Sequence, residues 1–344
     1  MLEPAEVAAT GAWIASVQLP DGMIPWYPGG HADPWNHVEA AMALVVSGHP
    51  REAERALRWL AGRQHPDGSW CHYYLADGIE DPRRDPNACA YLAAGVWWHH
   101  LVTGRRALME EMWPTLQRAV DFVVGLQRPG GEVAWSLDAD GIPGDFALLT
   151  SCSSILHSLR CAVAVAEAVG EERPDWELAA ARLAGALRHR PDAFADKGRW
   201  AMDWYYPVLS GAVAGEEARN RLREGWGTFA EASLGIRCVS DQRWVTAAET
   251  AECAMACHAA GLGELASALA GATRHLRDDD GAYWTGCVHP QCVRYPGGER
   301  STYSAAAVVL ADHVLAGRSA ASGFFGDSVP ALVELGEVEG SPRP

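Results

Sequence analysis

Basic residues are scarce in this chain, and lysine is almost missing. The 344 residues include 28 Lys and Arg against 44 Asp and Glu, and the formal net charge is −16. The single lysine is Lys197. Nucleic acids and anionic membranes attract proteins through clustered positive charge. The charge balance therefore disfavours both of these partners.

Long apolar runs and a disulfide framework are missing as well. No apolar run reaches the roughly 18–20 residues of a membrane-spanning helix, and the N-terminus lacks a basic segment followed by an apolar one. The nine cysteines are odd in number and show no framework spacing. We therefore expect reduced thiols, no membrane span and a cytoplasmic location.

The chain has instead a repeated pair of helices. After Arg51, a helix with its charges on one side leads to the turn Gln64–Trp70, a polar connection and an apolar helix that begins at Asp85 and Pro86. The turn is rich in residues that favour reversals of the chain. The same order of segments recurs six times.

Six such hairpins predict an all-α fold, an (α/α)6 toroid. The nearly all-apolar helices would form an inner ring, and the amphipathic helices would form an outer ring that meets water. The inner helices are predicted over 33–48, 85–100, 150–170, 203–215, 244–261 and 300–317. The toroid is predicted to be a single domain over residues 1–318. Residues 319–344 are rich in Gly, Ser, Pro and acids, which predicts a loosely attached tail.

The turns resemble those of two toroid families. Gln64-x3-Gly68-x-Trp70 fits the Q-x3-G-x-W repeat of squalene-cyclase and prenyltransferase-like proteins. Looser versions that begin at Gln18 and Gln127 also look like the Q-x-x-D-G-x-W turns of six-hairpin glycosidases. The resemblance covers residues 1–317 as architecture. In the cyclases such turns are structural, so we expect these glutamines to tie neighbouring hairpins together.

Polar residues gather at the start of each predicted inner helix. In a toroid these first turns meet at one end of the central cavity, where water or ligand can satisfy groups that are costly to bury. Asp33 and Asp85 precede proline and can equally be ordinary N-caps. The polar residues are Asp33, Asn36, His37, Glu39, Asp85, Asn87, Ser151, Ser153, Ser154, Asp203, Tyr205, Tyr206, Thr246, Glu249, Ser301, Thr302 and Tyr303.

Two of these carboxylates are predicted to be catalytic. Asp203 lies between Trp200 and Trp204, and such apolar surroundings raise the pKa of a carboxyl toward use as a general acid. Glu249 lies a turn into an apolar helix, where it cannot be a cap, although a buried ion pair is an alternative. Paired carboxylates hydrolyse glycosides. We therefore predict that Asp203 and Glu249 form an acid/base pair.

The other candidates are predicted to bind substrate. Polar side chains would orient a sugar and flat aromatic rings would stack on it, while His37 can alternatively be a satisfied core histidine or the base of an epimerase or lyase. The predicted binding residues are Asp33, Asn36, His37, Glu39, Asp85, Asn87, Trp35, Trp70, Tyr205, Tyr206, Trp244, Trp284, Tyr303, Arg243 and Arg300.

Arginines in the connections suggest an anionic substrate, because guanidinium groups bind carboxylates and phosphates. A uronate, a sugar phosphate and a prenyl diphosphate all satisfy this. The alternative is that these arginines pair with the abundant acids of the chain. They are Arg84, Arg199, Arg237, Arg243, Arg294 and Arg300.

Isoprenoid and metal chemistry are the alternatives that the resemblance raises. Aromatic faces stabilise carbocations, but the D-x-D-D motif of class II terpene cyclases is missing. Protein prenyltransferase β-subunits use zinc, and here Cys287, His289 and Cys292, with Cys71 and His72 elsewhere, are the candidate ligands. Their spacing matches no standard zinc pattern. We predict no cofactor and no metal, and the sequence leaves the metal question at this cluster open.

The sequence thus predicts a carbohydrate-active enzyme that resembles six-hairpin glycosidases. It would act as a hydrolase, or as an epimerase or lyase, on a small-molecule sugar that is expected to be anionic. A terpene cyclase or prenyltransferase-like enzyme with an isoprenoid substrate is the first alternative, and a non-catalytic glycan-binding toroid is the second. Neither the oligomeric state nor the exact substrate can be read from the sequence.

Overall fold

The computed structural model describes residues 1–326. Its helices alternate along the chain between the two predicted kinds. They are α1 (Pro4–Val17), α2 (Pro34–Val46), α3 (Pro50–Arg63), α4 (Pro86–Ala90), α5 (Leu92–Thr103), α6 (Ala107–Gly125), α7 (Leu149–Val169), α8 (Pro174–His189), α9 (Ala201–Leu209), α10 (Gly215–Phe229), α11 (Ala247–Ala259), α12 (Gly263–Ala272) and α13 (Thr302–Leu315).

The inner helices form a closed ring. In the order α2, α5, α7, α9, α11 and α13, each helix packs against the next, and α13 packs against α2. The helices α1, α3, α6, α8, α10 and α12 lie outside this ring and pack against it. The structure confirms the predicted (α/α)6 toroid, with α4 and α5 together as the second inner helix.

Burial follows the sequence pattern that predicts the two rings. The outer helix α3 buries Ala53, Ala56, Leu57 and Leu60 and exposes its arginines, whereas the inner helix α13 buries nearly every residue. The inner helix α7 is long and apolar enough to cross a membrane by composition, contrary to the expectation that no segment is. Most of it is buried among its neighbours, so its hydrophobicity is that of a core helix.

The glutamine turns join neighbouring hairpins, as predicted. The amide nitrogen Nε2 of Gln64 donates to the carbonyl oxygen of Gly68 at 3.0 Å and to that of Thr115, on the next outer helix, at 2.8 Å. Gln18 and Gln127 make the same pair of bonds in their own repeats. Each glutamine therefore ties its turn to the following outer helix.

Glycine is required in these turns by close approach of the next helix. Gly68 has a φ of +93°, and a Cβ there would lie 2.1 Å from the carbonyl oxygen of Arg118. In the last repeat, a Cβ at Gly281 would lie 2.7 Å from the carbonyl oxygen of Ala9 on α1. The sixth turn thus meets the first helix, which closes the toroid.

Two small sheets, which the sequence analysis missed, lie in the connections that lead into the inner helices. The strands β1 (Tyr73–Leu75) and β2 (Gly78–Asp81) form a hairpin. The strands β3 (Ala230–Glu231), β4 (Gly235–Arg237), β5 (Trp244–Thr246), β6 (Trp284–Val288) and β7 (Val293–Arg300) form an antiparallel sheet in that order. Such short strands give too little alternation to be recognised in the sequence.

The end of the ring that lies away from these connections is closed by residues that were predicted to be a loose tail. Phe324 and Phe325 are buried, and the ring of Phe324 lies 5.0 Å from that of Trp98 and 4.7 Å from that of His157. The prediction is therefore wrong for residues 319–326, because their two phenylalanines fill the end of the ring. The remainder of the predicted tail, 327–344, lies outside the described residues.

Candidate active site

The six connections from an outer to an inner helix lie at one end of the toroid, which we call the mouth. It consists of these connections and the first turns of α2, α4, α7, α9, α11 and α13. The predicted polar residues belong to it, because each lies in the first two turns of an inner helix or just before it.

Three carboxyl groups from two helices cluster below the mouth. Glu39 on α2 and Glu252 on α11 are only 2% and 3% exposed, and Glu249 lies one turn above Glu252 and is partly exposed. Burial raises the pKa of Glu39 well above its usual range, and the nearby Glu252 raises it further. Burial also raises the pKa of Glu252 to about 8, against the lowering effect of a hydrogen bond from Tyr205. Protons are therefore held in this cluster near neutral pH.

The surroundings of Glu249 place it at the boundary between this cluster and the mouth. Burial raises the pKa values of Cys238 and Tyr303, and the Glu249 carboxylate raises both of them further. Glu249 acts on Glu252 in the same way. A carboxylate so placed is accessible from the mouth and faces protonated groups below.

Aromatic rings surround the carboxyl cluster. The indole of Trp35 stacks on Tyr91 with centroids 4.8 Å apart, and its Nε1 lies 3.4 Å from Ser154 Oγ. Tyr206 lies 6.4 Å from Trp35, and its pKa is raised by burial, by Glu252 and by Glu39. Both rings therefore lie near the acids, but Trp35 is partly exposed, as a sugar-stacking role requires, whereas Tyr206 is buried.

Asp33 is an N-cap and a support for the aromatic wall of the mouth. Its carboxylate accepts the backbone N–H groups of Trp35 and Asn36, the Asn36 side chain at 2.6 Å and the indole N–H of Trp26 at 2.5 Å. The Trp26 ring in turn packs edge-on against Tyr303 at 5.0 Å. Both oxygens of Asp33 are saturated by protein donors, so its role in this structure is positioning.

Asp85 and Asn87 lie at the start of α4. The Asp85 carboxylate caps this helix and lies 3.9 Å from the Nδ1 atom of His72, and burial raises its pKa. The side-chain oxygen of Asn87 is buried and makes no hydrogen bond within the described residues. It is therefore an acceptor that a ligand or water would satisfy.

Asp203 is hydrogen-bonded to a different inner helix from the one that carries Glu249. Its carboxylate accepts a hydrogen bond from the Thr150 hydroxyl at 2.5 Å, between the first turns of α7 and α9. Burial raises its pKa, as the sequence predicts, and the hydrogen bonds from Thr150, followed by the charge of Arg221, oppose that rise. Asp203 also borders a groove that it shares with residues of α8 and α10. The two predicted catalytic acids thus belong to different hydrogen-bonded clusters of the mouth.

Three predicted substrate-binding residues are structural. His37 is buried with both nitrogens bonded, since Nδ1 accepts from the Ile24 N–H at 3.0 Å and Nε2 lies 2.9 Å from the Ala56 oxygen. The buried Trp70 donates to the Leu60 oxygen at 2.8 Å. Tyr205 is fully buried and donates to Glu252. Neither aromatic ring has a face open to a sugar, so these three predictions are wrong.

The other two predicted tryptophans lie at the sheet of the mouth. Trp244 is partly exposed and stacks on Tyr295 with centroids 4.6 Å apart. Trp284 is partly exposed and lies near the guanidinium groups of Arg294 and Arg300. Their binding role stays a prediction.

Most connection arginines bind the protein itself. Arg300, a predicted binding residue, contacts Asp278 at 2.9 Å and Asp280 at 2.7 Å. Acids or backbone oxygens also engage the guanidinium groups of Arg84, Arg199, Arg237 and Arg294. Within the part of the chain that the structure describes, the Arg243 guanidinium is exposed and has no such partner. Of the six arginines that suggest an anionic substrate, Arg243 is therefore the one that remains available to bind it.

The candidate metal ligands are regrouped by the fold. His289 lies 3.1 Å from Glu231 and is separate from the thiols. The ligand atoms of His275, Cys287 and Cys292 instead lie within 4.8 Å of one another. All nine cysteines fall within the described residues and are free thiols.

Sequence reasoning missed Glu252 and Tyr91, although Glu252 carried a signal. It follows Glu249 by three residues, a spacing that places two side chains on the same face of a helix. Tyr91 lies in an apolar run and cannot be distinguished there from a packing residue.

Known proteins resemble this chain in sequence and in fold. An MMP endo-(1,4)-3-O-methyl-alpha-D-mannosidase of Mycolicibacterium hassiacum is 47% identical over 325 residues, which cover 94% of this chain and 90% of that protein. No model of a protein family matches.

Solved glycosidases have the same toroid at low identity. A glycosidase variant in complex with glucose is 15% identical, with a TM-score of 0.72 over 92% of this chain and 99% of that one. The GH63 mannosylglycerate hydrolase from Thermus thermophilus, in complex with Tris and D-glycerate, is 13% identical, with a TM-score of 0.70 over 88% and 99%. At these identities the likeness establishes the fold alone. The identity to the mannosidase establishes that this chain belongs to the same family as that enzyme and is a glycosidase-like hydrolase of the six-hairpin (α/α)6 type.

Proposed function

We propose that this protein is an endo-acting α-mannosidase that cleaves (1,4) linkages within a chain of O-methylated mannose residues. The observation that carries the proposal is the acid cluster at the mouth, where Glu249 is accessible and Glu39 and Glu252 hold protons below it. The name of the Mycolicibacterium relative supplies the linkage and the methylated sugar.

The proposed reaction keeps the predicted acid/base pair. Asp203, whose pKa is raised by burial, would donate its proton to the glycosidic oxygen as the bond from that oxygen to the anomeric carbon breaks. Glu249 would remove a proton from the water that forms the new bond to the anomeric carbon. A substrate would have to span the Asp203 and Glu249 clusters. Glu39 is the rival proton donor, because burial raises its pKa as well and it belongs to the same cluster as Glu249.

Exposed apolar side chains at the mouth support a methylated substrate. We call Leu75, Ile79, Ile142, Trp200 and Val293 the apolar rim, because all are exposed and all lie in connections that lead into inner helices. They come from four different hairpins. Methyl ethers replace sugar hydroxyls by apolar surface, and burying such surface against these side chains is favourable.

We also propose that the substrate carries an acidic group, and this part of the proposal depends on Arg243. This guanidinium is exposed beside β5 and is the one connection arginine whose charge is available to a ligand among the described residues. A carboxylate near one end of a bound sugar chain would pair with it.

Turnover of defined oligosaccharides tests the function. The purified protein is incubated with 3-O-methylated α-(1,4)-manno-oligosaccharides and with unmethylated ones, and products are sized by mass spectrometry. We expect internal fragments from the methylated chains. Stabilisation by prenyl diphosphates together with no hydrolysis of either sugar would contradict the proposal.

Amide variants test the acids. Glu249→Gln and Asp203→Asn should each lower kcat by at least about 100-fold. The control is Asp192→Asn. Asp192 is an exposed acid near the groove that Asp203 borders, and this variant should keep wild-type activity. If Glu39→Gln abolishes turnover while Asp203→Asn does not, the proton donor is Glu39 and the proposed pair is wrong.

A further inference from the structure

A cluster of two thiols and one imidazole lies behind the β6–β7 hairpin, apart from the acid cluster. His275 belongs to the short helical turn Thr273–Leu276 after α12, Cys287 is on β6, and Cys292 lies in the turn before β7. The ligand atoms of all three lie within 4.8 Å of one another, and Cys287 Sγ is 3.6 Å from His275 Nε2.

These separations are close to those of a zinc site. With Zn–S bonds of about 2.3 Å, Zn–N bonds of about 2.0 Å and tetrahedral angles, a sulfur and a nitrogen ligand lie about 3.5 Å apart. The Cys287–His275 separation of 3.6 Å agrees with this, and Cys292 is within reach of the same point.

His275 is oriented as a metal ligand. Its Nδ1 lies 2.7 Å from the carbonyl oxygen of Ala272, to which it donates, and this bond leaves the lone pair of Nε2 directed at the thiols. An imidazole held by one nitrogen and presenting the other is the usual arrangement at protein metal sites.

The two thiols are also held in place, and a positively charged side chain lies beside them. Cys292 has a φ of +53°, a backbone conformation uncommon outside glycine. Cys287 is fully buried. The Arg294 guanidinium donates to the His275 backbone oxygen at 3.0 Å, so a positive charge lies beside the cluster.

We propose that His275, Cys287 and Cys292 bind one Zn²⁺ ion, with water as the fourth ligand. Both thiols lose their protons on binding, so the two thiolates balance the charge of the ion. The ion would fasten the hairpin that carries Trp284 and Glu299 to the end of α12. The ion would in this way support one side of the mouth, and the proposal does not depend on the substrate.

Two other thiol–imidazole pairs show why this cluster differs. Cys71 lies 3.3 Å from His65 Nε2, and Cys161 lies 3.7 Å from His157 Nε2. Among the described residues, neither pair has a third ligand group beside it. A Cys287–Cys292 disulfide is the competing use of the two thiols, and it would leave His275 without a role.

Cobalt binding to the full chain tests the site. The protein is purified under reducing conditions, treated with chelator and titrated with Co²⁺ and then Zn²⁺. We expect one equivalent of Co²⁺ to produce thiolate-to-cobalt charge-transfer absorption and tetrahedral d–d bands, Zn²⁺ to displace it, and Tm to rise. Cys287→Ser, Cys292→Ser and His275→Gln should each weaken binding at least about 100-fold.

The matched control is Cys71→Ser, which removes the thiol of a two-membered pair and should bind Co²⁺ as the wild type does. Circular dichroism checks that the variants fold, and the wild-type titration alone decides the proposal if they do not. Absence of the cobalt spectrum in the reduced wild type would overturn it. A Cys287–Cys292 disulfide in protein purified without reductant, or equal loss of binding in Cys71→Ser, would overturn it as well.

Discussion

The hydroxyl of Tyr205 on α9 donates a hydrogen bond to the Glu252 carboxyl on α11. Both side chains are buried within the inner ring. The bond satisfies one oxygen of an acid that burial would otherwise leave costly. It therefore joins two inner helices directly beneath Glu249, and a proton on Glu252 becomes part of the folded structure.

Replacing Glu252 by glutamine should reduce the pH dependence of stability. The pKa of Glu252 is about 8 in the folded chain against an ordinary value of 4.5. Between these values the folded chain holds a proton that the unfolded chain has lost. The contribution of Glu252 to the free energy of unfolding is thus complete below about pH 4.5 and falls as pH rises to about 8, by up to about 1.4 kcal/mol per pH unit.

Urea unfolding of Glu252→Gln and wild type between about pH 5 and about pH 8 measures this slope. The variant keeps an acceptor for Tyr205 but cannot ionise, so its stability should fall less steeply. Glu39 remains in the variant and keeps part of the slope. The exposed Glu217→Gln on α10 should behave as wild type, and equal slopes in all three proteins would show that Glu252 does not hold a proton.

Gly68→Ala should destabilise the junction between the second and third hairpins. The new Cβ would lie 2.1 Å from the Arg118 oxygen at a backbone φ of +93°. Left-handed backbone and a clash with a helix carbonyl should together cost at least about 2–4 kcal/mol. Gly62→Ala is the matched control, because its Cβ has open space within the helix α3, and it should gain about 0.5–1 kcal/mol. Unfolding midpoints in urea that fall equally, or not at all, would contradict this account of the turn.

Phe324→Ala tests whether the C-terminal segment closes the end of the ring. Phe324 is 1% exposed and contacts Trp98 and His157. Removing a buried phenyl ring should lower the free energy of unfolding by about 3–5 kcal/mol. Leu178→Ala, on the exposed side of α8, should change it by no more than about 0.5 kcal/mol. A loss below about 1 kcal/mol for Phe324→Ala would mean that the segment is not part of the core.

The sequence was sufficient for the ring and insufficient for the contacts inside it. Helix periodicity, the caps at Asp33 and Asp85 and the glutamine turns are local signals, and the structure bears them out. The burial of Tyr205 against Glu252 depends instead on a helix distant in sequence. In the sequence, an aromatic ring that stacks on a ligand therefore looks the same as one that packs in the core.

The metal-ligand cluster shows the same limit. The sequence shows Cys287 and Cys292 as a pair of candidate ligands. The third ligand atom comes from His275, however, and not from His289, which is nearer to them in sequence. Strand pairing between β6 and β7 turns Cys287 inward, and this depends on a register that the sequence does not display.

Polar substitutions in the apolar rim should weaken binding of methylated chains selectively. Ile142 is 63% exposed and Val293 is 62% exposed, in two different connections of the mouth. Ile142→Ser and Val293→Thr remove apolar surface that a methyl ether would cover, and about 25 cal/mol per Å² of lost contact amounts to a several-fold rise in KM. Neither side chain touches the acid cluster, so kcat should stay near the wild-type value. KM for an unmethylated chain should change little, because its hydroxyls gain nothing from the apolar surface. Leu178→Ser removes another exposed apolar side chain, from an outer helix, and should leave both KM values unchanged. If the rim variants raise KM equally for the two substrates, the apolar rim does not distinguish methylated from unmethylated sugars. The methyl groups must then be recognised deeper in the mouth.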